Sequence, residues 1–166
     1  MPPPSDPAAG GSDRSDPRDR SDRRLRIGVV GTGSLGRHHV RILSTLPGVE
    51  LVGIVDERPE QAAAIAAEHG ARVLASLGEL ADRAEAAVVA VPTVSHAEVG
   101  CFLAERGLHL LVEKPIASSL DEADRLIAAS AAAGRHLAVG HVEFHNPAVQ
   151  ALLALGIPPR FVEIER

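Results

Sequence analysis

Gly31-Thr32-Gly33-Ser34-Leu35-Gly36 follows the apolar run Leu25-Arg26-Ile27-Gly28-Val29-Val30, and behind it Leu35, Val40, Ile42, Leu43 and Leu46 recur at helical spacing. The short β-branched run reads as a buried parallel strand, and the periodic segment as a helix near 34–46 with one apolar face. Strand, glycine turn and helix in this order are the fingerprint of a dinucleotide grip. In such a turn Gly31 permits the tight bend, Gly33 lets the backbone approach a pyrophosphate, and Gly36 lets the helix pack closely on the strand. Thr32, Ser34 and Leu35 complete the turn. The helix start near Ser34 presents unpaired N–H groups and the positive end of its dipole to the phosphates, so anion binding needs no lysine.

Asp56 ends a second apolar run, Val49 to Val55. About twenty residues beyond the turn, an acidic side chain accepts hydrogen bonds from the adenosine ribose hydroxyls, which favours NAD over NADP. Arg58 keeps NADP as the lesser alternative, because it would pair with a 2′-phosphate if Asp56 turned away. The competing readings of the turn are a mononucleotide site and a strand-to-helix turn that binds nothing.

The chain has 166 residues, a net charge of −5 and three aromatic residues, all Phe. Stacking and phosphate neutralisation are poorly supplied, which excludes nucleic acid as the expected partner. Met1 to Arg24 is Pro, Ser, Gly, Asp and Arg with almost no apolar side chain, and is expected to be a disordered tail. Within it Asp6, Asp13, Asp16, Asp19 and Asp22 balance Arg14, Arg18, Arg20, Arg23 and Arg24, unlike a one-signed arm for nucleic acid or membrane. Arg23-Arg24 precedes a strand and a glycine turn instead of an apolar export stretch. No run approaches the roughly 20 apolar residues that span a bilayer, and the single Cys101 forms no internal disulfide framework. A cytoplasmic protein is the expectation. Residues 25–166 suffice for one domain with a sizeable core.

Apolar runs at 25–30, 49–55, 71–74, 86–91, 108–112 and 136–140 alternate with helical patterns near 34–46, 59–69, 95–106, 120–133 and 147–155, and with a short turn around 77–80. Six strands alternating with helices imply an α/β fold, a doubly wound parallel sheet covered on both faces. Gly70, Gly107 and Gly134 sit where helices close, Pro59 suits a first helical turn, and Ser119 with Glu122 has capping-box spacing. The dinucleotide-binding domain is expected to span residues 25–155, with its ligand crevice outside the carboxyl ends of the strands.

Pro92-Thr93, Glu113-Lys114-Pro115 and His141 to Pro147 all follow strands and are expected to face that crevice. Three motifs, G-x-G-x-x-G-x-x-H (Gly31 to His39), V-P-T-x-x-H (Val91 to His96) and E-K-P (Glu113 to Pro115), together resemble the glucose-fructose oxidoreductase, or Gfo/Idh/MocA, family. The resemblance covers residues 25–166. Gly140 to Val149 is similar to the G-H-x-E-R-F-N-P-A segment of the family's UDP-N-acetyl-hexosamine 3-dehydrogenases, with Phe144-His145 where those carry Arg-Phe.

The resemblance implies an NAD(P)-dependent oxidoreductase acting on the CH–OH group of a sugar or sugar nucleotide. It places Lys114 beside nicotinamide and substrate as the catalytic candidate. A cation there stabilises developing alkoxide charge as the hydroxyl proton leaves. The cofactor crevice is then completed by Pro92, Thr93, His96, Glu113 and Pro115, with a Lys114–Pro115 bond that is commonly cis in relatives. The substrate contacts expected are Lys114, His141, Glu143 and Asn146.

His141, Glu143 and His145 would share one face of an extended segment. Two histidines and a carboxylate lack a fourth zinc ligand, so no metal is expected, and the segment reads as a polar wall for substrate or nicotinamide ribose. His38 and His39, one turn inside the first helix, read as one exposed and one packed histidine without a catalytic role. Cys101 reads as a packing residue.

Members of the family carry a second α/β domain, and Arg160 to Arg166 resemble its first strand, so residues 156–166 are expected to begin a truncated domain. An unpaired strand recruits other chains, which makes a homo-oligomer or partner through 160–166 an expectation. Three functional readings follow: the cofactor domain of a sugar oxidoreductase with little turnover of its own, a non-catalytic NAD-binding module that completes its sheet with a partner, and a remnant that binds nothing.

Overall fold

Successive side chains of a strand point to opposite faces, and one sheet here builds two cores that way. The computed structural model describes residues 23–156. Its strands are β1 (Leu25–Val30), β2 (Val49–Val55), β3 (Ala86–Val89), β4 (His109–Val112) and β5 (Leu137–Val139). Its helices are α1 (Gly36–Leu43), α2 (Pro59–His69), α3 (Leu77–Arg83), α4 (His96–Glu105), α5 (Leu120–Ala132) and α6 (Pro147–Ala154). The five strands pair in parallel in the order β2-β1-β3-β4-β5. Val29, Ile54 and Val88 pack with Val40 and Leu43 of α1 and with Ala62 and Ala66 of α2. Their neighbours Val30, Val89 and Val112 pack on the other face with Leu80, Leu103 and Leu126. This is the expected doubly wound Rossmann sheet.

The register puts the strand ends in line. Val55 pairs with Val30, Val30 with Val89, Val89 with Val112 and Val112 with Val139. The next residue of each strand, Asp56, Gly31, Ala90, Glu113 and Gly140, therefore lies along one edge. The direction of winding reverses between β1 and β3, which is where an open α/β sheet leaves its ligand crevice.

Several expectations need correction. Residues 71–74 form no strand but a single bridge, Ile54 to Val73, because only a few residues separate the end of α2 from the cap of α3. The turn expected at 77–80 is helix α3, started by Ser76, whose hydroxyl accepts the Glu79 N–H while the Glu79 carboxylate accepts the Ala75 N–H. Ser119 and Glu122 cap α5 in the same way, the Glu122 carboxylate reaching the Ser118 N–H. Cover is incomplete as well, since Ala138 of β5 is exposed. Gly70, Gly107 and Gly134 have the positive φ of helix ends. The expected leader up to Asp22 and the strand at 160–166 lie outside the described residues. No helix among the described residues is long and apolar enough to cross a membrane.

Candidate functional site

The turn after β1 is shaped by its own backbone. Gly31 has φ +86°, and a Cβ on it would stand 2.6 Å from the Ala90 carbonyl oxygen. A Cβ on Gly36 would stand 1.8 Å from the Gly31 carbonyl oxygen. Gly33 differs, because around it only the Arg58 guanidinium comes near a built Cβ, at 3.7 Å. The protein's packing requires glycine at 31 and 36 but leaves open space at 33.

The N–H groups of Gly33, Ser34, Leu35 and Gly36 donate to no acceptor among the described residues, whereas Gly31 N–H reaches Val55 O at 2.8 Å. Consecutive free N–H groups at a helix start are the kind of donors that anions accept from. The helix begins at Gly36, slightly later than expected, and Leu35 at its cap makes no side-chain capping bond.

Asp56 faces this turn. Its Oδ2 accepts the Thr32 N–H at 2.6 Å and the Thr32 hydroxyl at 2.7 Å, and its Oδ1 accepts the Arg58 N–H at 2.9 Å. Burial alone would raise its pKa, but the Thr32 and Arg58 N–H groups, the Thr32 hydroxyl and the Arg58 guanidinium together hold it below the ordinary value. Gln61 on α2 donates to Thr32 O at 2.7 Å. Asp56 is thus tied to the glycine turn, and the Arg58 side chain is 65% exposed beside it, with Nε 3.5 Å from Oδ1.

On the other side of the crevice, Lys114 and Pro115 are joined by a cis peptide bond. Lys114 is exposed, and its ammonium has no ion-pair or hydrogen-bond partner among the described residues. Glu113 is buried at 5% exposure and meets His39 Nε2 through Oε1 at 2.7 Å. His96 is buried as well, with Nδ1 and Nε2 each 2.9 Å from a carbonyl oxygen, those of Pro115 and Val91 respectively. It joins the loops after β3 and β4. Pro92 is exposed and Thr93 half-buried at the start of a short 3-10 turn.

The segment after β5 is not extended. Val142–His145 is a 3-10 turn, so the alternation of His141, Glu143 and His145 puts no common face into the crevice. Asn146 caps α6 by accepting the Ala148 N–H at 2.9 Å and donates to Glu143 at the same distance. Among the described residues, no group of three or more His, Cys, Asp or Glu side chains is placed to hold a metal ion. Burial pushes the Cys101 thiol up, opposed by Arg125. Its alkylation by iodoacetamide at neutral pH is expected to be slower than that of a free cysteine peptide, and an equal or faster rate would overturn the packing role.

A model of the oxidoreductase family with an NAD-binding Rossmann fold, Gfo/Idh/MocA, matches residues 25–141. The chain belongs to this family. It is 36% identical over 143 residues to the UDP-N-acetylglucosamine 3-dehydrogenase of Acidithiobacillus ferrooxidans, a match covering 86% of the chain and 45% of that enzyme. The solved structure of that enzyme superposes with a TM-score of 0.76 at 35% identity over 80% of this chain and 44% of that one. An inositol 2-dehydrogenase of Rubrobacter xylanophilus is 35% identical over 80% of the chain and 40% of its own length. GenD2 from gentamicin A biosynthesis, solved in complex with NAD, has a TM-score of 0.76 at 32% identity over 80% of this chain and 39% of that one. The chain spans less than half the length of these relatives.

Within this Gfo/Idh/MocA domain the long-range contacts that escape a reading of the sequence include His39 to Glu113 and Gln61 to Thr32. For His39 a signal was present, since it closes the G-x-G-x-x-G-x-x-H motif. Gln61 stands on α2 without any motif to mark it.

Proposed function

We propose that residues 25–155 are the cofactor half of an oxidoreductase that moves hydride between NAD and a hydroxyl or ketone of a sugar or sugar nucleotide, the chain having little turnover alone. The observation that carries this is the open space at Gly33 under a row of free N–H groups, with a fixed carboxylate on one side and an unpaired ammonium on the other. In this reading Gly31 to Gly36 hold the pyrophosphate and Asp56 receives the adenosine ribose hydroxyls. The tie from Thr32 to Asp56 opposes the rotation that would let Arg58 take a 2′-phosphate, which favours NAD.

Nicotinamide supplies a hydride acceptor or donor, and the protein supplies the rest. Lys114, at the end of β4, stabilises negative charge on the substrate oxygen and relays its proton. Pro92, Thr93 and His96 shape the crevice wall, and His141, Glu143 and Asn146 flank the side open to substrate. The names of the relatives favour a sugar nucleotide or a cyclitol-like polyol.

Titration of the 166-residue chain with NADH and NADPH tests this. NADH is expected to bind with a Kd on the order of micromolar and at least about tenfold more tightly than NADPH. A folded sample that binds neither would sink the reading. Rapid NAD reduction with UDP-N-acetylglucosamine by this chain would overturn the claim of little turnover alone.

A further inference from the structure

A buried carboxylate must be satisfied, and the partners of Glu113 lie on different elements. Oε1 meets His39 Nε2 on α1 at 2.7 Å, and Oε2 accepts the Lys114 N–H at 3.1 Å. A Cβ on Gly140, just beyond β5, would lie 3.0 Å from the same Oε2, so the carboxylate fills the gap between the ends of β4 and β5. His39 stands one turn after Gly36, on the helix that begins at the glycine turn. One carboxylate therefore joins the phosphate-binding helix to the peptide of Lys114. The side chains of His39 and Glu113 are only 18% and 7% exposed, unlike a solvated surface pair.

We infer that His39 and Glu113 are positioning residues for Lys114. Together they set its backbone relative to the glycine turn, so that the pyrophosphate end and the nicotinamide end of one dinucleotide are placed by a single connected unit. Neither residue touches the reacting atoms. The inference rests on the reading of Lys114 as the nicotinamide-side lysine. Removing His39 leaves the buried carboxylate with the Lys114 N–H as its remaining donor, and the peptide is then free to follow it toward water. Removing the partners that orient metal ligands costs about 10–100-fold in affinity or activity, and the lower end of that range is expected here.

The test compares NADH with ADP-ribose, which has every part of the dinucleotide except nicotinamide, by calorimetry on the 166-residue chain. His39→Leu is expected to weaken NADH about tenfold and ADP-ribose less than about twofold. His39→Gln, which retains an N–H donor, is expected to restore most of the NADH affinity. Equal losses for both ligands, or no loss, in a folded His39→Leu protein would overturn the inference. Should that variant fail to fold, Glu113→Gln keeps the volume and an acceptor for the Lys114 N–H, and the same selective loss of NADH is expected, with equal or no loss again decisive against it. Lys114→Ala separates the two ideas. If its NADH and ADP-ribose affinities keep the wild-type ratio while His39→Leu is selective, the reading of Lys114 fails and the inference falls with it; if Lys114→Ala is selective and His39→Leu is not, the inference alone is overturned.

Discussion

Gly36→Ala is expected to lower Tm by at least about 10 °C, whereas Gly33→Ala is expected to melt like the wild type and to bind NADH at least about tenfold more weakly. The two glycines lie three residues apart in one turn, and only their surroundings separate them. A methyl at 36 would sit 1.8 Å from the Gly31 carbonyl oxygen and 2.7 Å from its carbon. Both atoms are backbone, so no side chain can swing aside and the end of β1 must part from the start of α1. Overpacking of a core costs about 1–3 kcal/mol and occasionally more, and a backbone collision belongs at the upper end or beyond. Against a total stability of about 5–15 kcal/mol this is a large loss. At Gly33 the same methyl meets only the Arg58 guanidinium at 3.7 Å, and Gly33 is absent from the glycines with positive φ. Its stability change is expected within about 0.5 kcal/mol. The methyl would instead displace a phosphate from the free N–H groups, each charge-assisted bond being worth about 1.5–3 kcal/mol. Thermal melts and NADH titration of both variants decide it. A Gly33→Ala protein that is destabilised like Gly36→Ala, or one that binds NADH normally, would remove the ground for placing a cofactor at this turn.

Much of this architecture was legible because it is local. The glycine turn, the strand runs and the helix stops depend on residues within a few positions of one another, and the residues that end up along the crevice are those that directly follow a strand, as Asp56 and Glu113 do. What the sequence concealed depends on distance. The meeting of His39 with Glu113 is made by the parallel register that brings the end of β4 within reach of α1. The contact of Gln61 with Thr32 is likewise made by packing α2 on β2 and α1, next to the turn after β1, and periodicity contains no term for either. Residues 71–74 failed as a strand for a different reason. Their composition suits a strand, but the chain must leave the sheet edge almost at once to begin α3, and one bridge is all that remains. The segment 141–146 failed because alternation of polar residues decides nothing without knowing whether the backbone is extended, and here it turns.

Asp56→Asn is expected to weaken the glycine turn and to lose the preference for NADH at the same time. The carboxylate receives Thr32 N–H and hydroxyl on one oxygen and the Arg58 N–H on the other. An asparagine offers a single acceptor oxygen, so its amide nitrogen must face at least one of these donors. With the oxygen kept on the two Thr32 donors, the nitrogen faces the exposed Arg58 N–H, and the cost is that of one ordinary hydrogen bond, about 0.5–1.5 kcal/mol. The folded pKa of Asp56 is held below its ordinary value. Its contribution to stability is therefore complete above the ordinary aspartate pKa and is lost as pH falls through the lower folded value. The stability gap between wild type and Asp56→Asn is accordingly expected to be full at neutral pH and to narrow in acid, as measured by urea unfolding across the pH range. For binding, the variant lacks the negative charge that repels a 2′-phosphate and releases the Arg58 guanidinium, 65% exposed beside it. The ratio of NADPH to NADH dissociation constants is expected to fall by at least about tenfold, through weaker NADH and stronger NADPH binding together. A ratio that stays at the wild-type value would mean that Asp56 serves the turn alone and that the ribose is read elsewhere. A gap in stability that persists unchanged in acid would instead mean that the carboxylate's charge contributes nothing to holding Thr32.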